Sequence, residues 1–172
     1  MARLPQILDR EALPEDKRFV HDYLVGTRGR VSAAFGSLLH KPELTYRIAH
    51  LGTYIRFESG LPNSVRELTA LTTSTELSNA YEQAIHIREA LAQGARQTTI
   101  DAVVRWEDVV DATPEEAAAI NCARELARSH HLSDEAFAEA LKLFGEGGVV
   151  ELMATISYYS FLANLHNALE IA

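Results

Sequence analysis

The sequence predicts an all-α protein. Apolar residues recur at spacings of three and four along most of the chain, and no segment sustains the alternating pattern of a β-strand between turn residues. Glycines and prolines fall between the apolar runs, where they would end one helix and begin the next. With 172 residues and a hydrophobic content of 47%, the chain can bury its own core. We expect a single compact domain of about eight helices over residues 14–172, preceded by an extended arm over residues 1–13.

Helix boundaries follow from start and stop signals. Pro14, followed by two acidic residues, suits the first turn of the first helix, and Gly26 would end that helix. The sequence Thr113-Pro114-Glu115-Glu116 is a strong start signal, because it combines a cap, a proline at the first helical position and acids near the helix dipole. In chain order, the predicted helices cover residues 14–26, 31–39, 41–60, 62–94, 98–106, 113–130, 133–145 and 149–168.

Three further features of the helices can be predicted. The hydroxyl residues from Thr72 to Thr75 are weak helix formers, which favours a break near Thr75–Ser78. Phe137, Leu141 and Phe144 recur at helical spacing and predict the inner face of the penultimate helix. The last helix is apolar almost all round, so we expect it to be buried.

Composition limits the partners that the protein can have. The formal net charge is −8, and the longest run of basic residues is the pair Lys17-Arg18. A nucleic acid or an anionic membrane surface would need a basic face, so we expect neither as a partner. No apolar stretch approaches the ~20 residues of a membrane span. The first residues lack an apolar signal segment, and the single cysteine, Cys122, cannot form an internal disulfide, so we expect a cytoplasmic protein.

Acidic, amide, phenol and imidazole side chains gather between Glu67 and Gly94. On a helix, Asn79, Glu82 and His86 would lie within about 60° of one another. Glu82 and His86 are four residues apart, close enough to hydrogen-bond, and a carboxylate there would raise the pKa of the imidazole. Such a pair can serve in general acid–base catalysis.

Taken alone, this pattern is more typical of a solvated helix face. Polar residues continue along the same side of the helix and apolar residues lie opposite, as on many amphipathic helices. The polar side also carries Gln83, Glu89 and Gln93, and the apolar side carries Ala80, Ala84, Ile87 and Leu91.

Three short elements in this segment have a recognisable spacing. They are Arg66-Glu67-Leu68, then Tyr81-Glu82 with His86 four residues later, then Ala90 with Gly94 four residues later. Together they resemble the signature of the carboxymuconolactone decarboxylase family, which includes the alkylhydroperoxidase D proteins, and the whole layout is similar to the longer family members. The resemblance implies an alkylhydroperoxidase D-like fold with a helical-hairpin core. It also implies a homo-oligomer (a dimer, trimer or hexamer) with sites near the subunit interfaces.

The chain departs from the peroxidase members of this family at two positions. Those members carry two redox cysteines, twelve and fifteen residues after the glutamate, where this chain has Asn79 and Glu82. Dithiol chemistry needs a thiolate and a resolving thiol. Cys122 lies on a different helix, where we expect a buried structural thiol. Peroxidase activity by the dithiol route is therefore not expected.

The remaining pattern is similar to the decarboxylase branch of the family, whose implied chemistry needs no cofactor. On that resemblance, His86 would donate a proton to an enolate, Glu82 would orient the imidazole, and Glu67 would hydrogen-bond the imidazole or act as a second base.

One histidine with two acids provides few of the ligands that a metal site needs, so we expect no metal. Tyr158, Tyr159 and Phe161 on the last helix could approach the site, although core packing is the default role of such aromatic residues. The candidate substrate contacts are Asn79, Tyr81, Tyr158 and Phe161.

Three functions stay open. The first is an enzyme, a lyase that decarboxylates a small carboxylated or lactone-like molecule, or an isomerase that uses the same proton transfers. An anionic substrate would need a local cation, for which Arg56, Arg66 and Arg88 are unassigned candidates. The second is an antioxidant peroxidase of the alkylhydroperoxidase D type, which the missing cysteines disfavour. The third is a non-catalytic helical oligomer.

Overall fold

A computed structural model describes residues 2–171 of the chain. Within that range every regular element is helical, which confirms the predicted all-α fold. Shorter 3-10 turns lie at Arg10–Ala12 and Glu15–Lys17, and a π-helical turn lies at Tyr54–Glu58. The eight α-helices are α1 (Arg18–Arg28), α2 (Ala33–Leu38), α3 (Pro42–Thr53), α4 (Asn63–Glu76), α5 (Ala80–Ala92), α6 (Gln97–Val104), α7 (Pro114–Ser129) and α8 (Asp134–Leu169).

Tertiary contacts divide the described chain into two compact units. The first contains residues 2–58 together with residues 166–171, and the second is Ser59–Leu165. The sequence predicts a single domain over residues 14–172, and this division into two units does not test that prediction. All three predicted acid–base residues belong to the second unit.

In the first unit, the N-terminal arm packs on α2. The backbone N–H of Ile7 donates to the carbonyl of Gly36 over 3.0 Å. A Cβ added at Gly36 would lie 2.8 Å from Leu8 Cδ2 and 3.3 Å from the Ile7 carbonyl oxygen. Glycine at this position therefore permits the close approach of the arm. Beneath it, Val20 and Leu24 of α1 are fully buried.

In the second unit, α4 is the central helix. Every residue from Val65 to Thr75 is buried, and α5, α6 and α7 all pack against α4. The weak helix formers of α4 are accommodated because their hydroxyl groups donate to the carbonyl four residues back, as Thr72 does to Leu68 and Ser74 does to Ala70, both over 2.7 Å. The helix therefore continues to Glu76.

The predicted break after the hydroxyl run is confirmed. Ser78 has φ 53°, in the left-handed region, and Asn79 begins the next helix as its N-cap. The chain reverses in this short link, so α4 and α5 pack against each other. At the far end of α5, Gly94 takes φ 88°, which fits its predicted role in ending that helix.

The predicted inner face of the penultimate helix is wrong in part. Gly145 takes φ 67° and ψ 177°, so α8 is two helical segments joined there, as the predicted stop implied. Phe137 is nevertheless 46% exposed, and Leu141 is exposed too, whereas Ala140 is fully buried and Phe144 packs against the core. The contact uses small side chains because they allow close packing on three small residues of α7, which are Ala119, Cys122 and Ala123.

The expectation that the last segment is buried all round is also wrong. Val150 is 68% exposed and Phe161 is 41% exposed. One face of the segment packs inward through Leu152, Ile156 and Tyr159, which are all buried. Among residues 2–171, no helix is both long enough and apolar enough to cross a membrane.

Candidate active site

His86 lies between two carboxylates. Its Nδ1 donates a hydrogen bond to Glu67 Oε2 over 2.7 Å, and its Nε2 lies 3.3 Å from Glu82 Oε2. The structure thus brings together the three residues predicted for acid–base chemistry, one from α4 and two from α5. A carboxylate at each ring nitrogen holds the imidazole in one orientation.

The link between α4 and α5 positions Glu82. Asn79 is the N-cap of α5, with φ −96° and ψ 95°, so the prediction that it shares a helix face with Glu82 and His86 is wrong. Its Oδ1 accepts a hydrogen bond from the backbone N–H of Glu82 over 2.8 Å, and its Nδ2 donates to the carbonyl of Ala163 over 3.4 Å. The amide therefore fixes the start of α5, and its contact with a substrate stays a prediction.

Two residues on the polar side of α5 are buried, and part of its apolar side is exposed. Glu82 and His86 are buried, with His86 only 2% exposed, whereas Leu91 is 42% exposed. Ala80 and Ala84 are exposed as well. The interpretation as a solvated face is therefore wrong for Glu82 and His86. These two residues can be buried because the imidazole is paired with acids on both sides.

Arg66 extends this group of charged side chains. Its Nε donates to Glu67 Oε1 over 3.3 Å, and its Nη1 donates to Asn63 Oδ1 over 3.0 Å. Arg66 and Glu67 are both buried, so each charge faces a partner inside the protein. The guanidinium is thus engaged by protein groups, which weakens the case for Arg66 as a cation that binds an anionic substrate.

The site favours the imidazolium form of His86. Burial lowers the pKa of His86, because the protein interior disfavours the charged ring. The hydrogen bonds that Glu67 and Glu82 accept from the ring, together with their negative charges, act in the opposite direction and outweigh burial. The pKa of His86 therefore lies above its ordinary value of 6.5. The buried imidazole therefore keeps its proton to higher pH than an ordinary histidine does.

The ring of Tyr159, on α8, packs directly on His86. The two rings meet edge to face, with centroids 4.6 Å apart and planes at 85°. Tyr158, one of the predicted substrate contacts, is buried and packs edge to face against Tyr159 with centroids 5.4 Å apart. Phe161 is exposed, and Tyr81 is half-buried in the first turn of α5. Substrate contacts by Tyr81, Tyr158 and Phe161 stay predictions.

Metal ligation is not indicated by the arrangement of the side chains. In the part of the chain that the structure describes, no group of three His, Cys, Asp or Glu residues is placed to hold a metal ion. Both nitrogens of His86 already face carboxylates at hydrogen-bonding distance. The expected independence of metals and cofactors stays a prediction.

Cys122 lies outside this site. It is fully buried on α7, and its Sγ lies 3.9 Å from the carbonyl oxygen of Ala136. Burial, aided by the negative charge of Glu125, raises the pKa of the thiol to about 11. The predicted burial of this cysteine is confirmed, and at neutral pH it carries very little thiolate.

Sequence comparison supports the resemblance carried by the Glu67–Gly94 segment. Residues 42–125 match the family model described as the Carboxymuconolactone decarboxylase family, a range that includes Glu67, Glu82 and His86. Over these residues, the chain is similar to the carboxymuconolactone decarboxylase family. No curated protein matches the chain in sequence. The match confirms the resemblance to this family.

Solved structures with the same fold cover nearly the whole chain. An uncharacterized peroxidase-related protein from Ralstonia eutropha JMP134, described as an alkylhydroperoxidase AhpD core, has a TM-score of 0.83 and 18% identity, covering 99% of this chain and 91% of that chain. A peroxidase-related protein from Silicibacter sp. TM1040 has a TM-score of 0.77 and 14% identity, with 98% and 91% covered. The debrominase Bmp8, as a variant in complex with 2,3,4-tribromopyrrole, has a TM-score of 0.74 and 19% identity, with 99% and 91% covered. At these identities the similarity shows the alkylhydroperoxidase D-like fold alone.

Proposed function

We propose that the protein is a cofactor-free acid–base enzyme of the carboxymuconolactone decarboxylase type. The observation that carries the proposal is the buried imidazole of His86, held between the carboxylates of Glu67 and Glu82. Proton transfer to and from carbon requires a proton donor and a base, and the site holds an imidazole and a carboxylate in contact. The family match over residues 42–125 supports the same class of reaction.

The proposed decarboxylation assigns a different task to each residue. The bond between the substrate carbon and its carboxylate breaks, carbon dioxide leaves, and the bonding electrons form an enolate or dienolate. His86 then donates its Nε2 proton to that carbon, while Glu67 holds Nδ1 and stabilises the imidazolium beforehand. Glu82, 3.3 Å from Nε2, returns a proton from solvent to the ring. The step consumes one proton and needs no oxidant.

The same groups support an isomerisation as the related alternative within this class. In that reaction the Glu82 carboxylate removes a proton from a carbon next to a carbonyl group, and His86 donates a proton to another atom of the resulting enolate. Glu82 suits the substrate side, because 8% of its side chain is exposed against 4% for Glu67 and 2% for His86. The proposed substrate is a small carboxylated or lactone-like molecule.

An antioxidant peroxidase is the second candidate, favoured by the names of two similar structures. The described site offers no thiol for this activity, since Asn79 and Glu82 stand where the family's peroxidases carry cysteines. Cys122 is buried, and the pKa of its thiol is about 11. Hydroperoxide reduction by a thiolate would need a group that is ionised and accessible, so we favour acid–base chemistry.

A homo-oligomer is also part of the proposal. Several large apolar side chains of the protein are exposed, among them Phe57, Phe137 and Val150. Contacts between copies of the chain would remove such surface from water. Sedimentation equilibrium tests this part directly, and a monomer at micromolar concentration would contradict it.

A screen of substrates tests the function. The wild-type protein is incubated with a panel of small carboxylic acids and lactones, and carbon dioxide release and solvent deuterium incorporation are followed. We expect turnover of at least one compound without added metal or cofactor, and loss of that turnover in His86→Ala. If no compound reacts and the protein instead consumes hydroperoxides in the presence of thiols, the peroxidase candidate replaces this one.

A further inference from the structure

Four ionisable groups form a continuous buried row in the second unit. Arg66 contacts Glu67 through its Nε, Glu67 contacts His86 through its other carboxylate oxygen, and His86 contacts Glu82 through its Nε2. All four side chains are buried. Because the exposed surface of each is small, water cannot screen a change in the charge of one member from the others.

The charges of the row balance when Glu67, His86 and Glu82 share a single proton. With His86 protonated and both carboxylates ionised, two positive charges face two negative charges. If Arg66 were uncharged, the same protonation state would carry one extra negative charge, and neutrality would require a second proton on the row. A buried net charge is costly, so the row would gain that proton instead.

We propose that Arg66 fixes at one the number of protons that Glu67, His86 and Glu82 share near neutral pH. The proton resides on His86, and both carboxylates stay ionised. Arg66 is a positioning residue in this account, because it acts on the reacting groups through Glu67 and touches no substrate.

The catalytic consequence rests on the proposed function. An ionised Glu82 beside a protonated His86 gives the site its base and its acid at the same time. If the row held two protons, one carboxylate would be neutral, and with that proton on Glu82 the site would lose its base. The number of protons itself can be measured without any substrate.

Two acidic groups on the neighbouring helices are engaged elsewhere. On α6, Asp101 accepts from Gln97 and pairs with Arg105. On α7, Glu116 accepts from the backbone N–H of Thr113 in the capping box at the start of that helix. On α8, the ring of Tyr159 packs edge to face on His86.

Infrared difference spectroscopy of Arg66→Met tests the proposal. We expect the C=O band of a protonated carboxyl group at pH ~7 in this variant, and its absence in the wild-type protein. The band should disappear when either Glu67→Gln or Glu82→Gln is added, because one carboxylate then balances the imidazolium, and this loss assigns the band to the row. Arg88→Met is the matched control, because it removes the same charge from an exposed position on α5, and it should show no band. A folded Arg66→Met protein without the band overturns the proposal.

A second pair of variants keeps the test decisive if Arg66→Met does not fold. Glu67→Gln leaves the charge of Arg66 in place and removes one anion, so His86 should become neutral at pH ~7. Arg66→Met combined with Glu67→Gln removes one charge of each sign, so the imidazolium should return. Nitrogen-15 NMR of the imidazole reports both states. A neutral His86 in the double variant contradicts the proposal, whereas failure of the substrate screen would leave these results unaffected.

Discussion

Glu67 and His86 form a buried hydrogen bond of 2.7 Å although 19 residues separate them along the chain. The contact exists because α4 and α5 reverse direction at Ser78 and Asn79 and then pack against each other. Glu67 thereby holds one ring nitrogen and leaves the other beside Glu82. The site is thus a property of the helical hairpin.

Stability should fall as pH rises above the ordinary pKa of histidine. The folded protein raises the pKa of His86 above 6.5, so its protonated ring contributes stability fully below about pH 6.5, and this contribution is lost as pH rises through the folded-state pKa. Urea unfolding followed by circular dichroism from about pH 6 to about pH 9 measures the effect. His86→Gln should show a flatter dependence, and an equal slope in both proteins would argue against the raised pKa.

Asn79→Ala should lower both stability and turnover. Loss of an N-cap side chain costs about 1 kcal/mol, and here the cap also holds the backbone of Glu82. Asn79→Ser should retain most of both properties, since serine caps helices well. Thr113→Ala removes the capping box of α7 and should cost similar stability without affecting turnover. Equal turnover in Asn79→Ala and Thr113→Ala would show that the cap does not position Glu82.

Cys122 should react slowly in the native protein. A thiol pKa of about 11, against an ordinary value of 9.0, leaves roughly one hundredth of the usual thiolate near pH 8. Iodoacetamide labelling followed by mass spectrometry should therefore be at least ~100-fold slower in the native protein than in urea. Cys122→Ser should match the wild-type protein in any hydroperoxide assay. Rapid native labelling, or thiol-dependent peroxidase activity lost in Cys122→Ser, would reverse this conclusion.

Glu67→Gln should change the pH profile of turnover as well as its rate. The amide keeps a hydrogen-bond acceptor near Nδ1 but loses the charge that raises the pKa of His86. The alkaline limb of the profile should therefore move to lower pH, with a rate loss of about 10²-fold. Glu89→Gln, on the same helix, should leave both unchanged. An unshifted limb in Glu67→Gln would mean that another group controls it.

Much of this fold follows from local patterns. The break near Thr75–Ser78, the cap at Thr113 and the stop at Gly145 all rest on residues whose backbone preferences act within one turn, and all three are present. The spacing of Glu67 and His86 also predicted that both belong to the site, because both lie on the hairpin that the family signature describes.

The burial of Glu82 and His86 on α5 could not be predicted in the same way. Its polar stripe has the pattern of a solvated face, and only a partner from another helix, Glu67, makes burial of the imidazole possible. The last helix posed a similar difficulty. Its residues are apolar almost all round, so the pattern did not distinguish Tyr159, which contacts His86, from its neighbour Tyr158. Long-range packing decides both cases.

The most direct measurement is the turnover of a substrate from the screen by His86→Ala, with circular dichroism to establish that the variant is folded. Removal of the general acid should lower turnover by about 10²- to 10⁴-fold. His131→Ala, at an exposed position outside the site, is the control and should be unaffected. Wild-type turnover in a folded His86→Ala protein would contradict the assignment of acid–base chemistry to Glu67, Glu82 and His86.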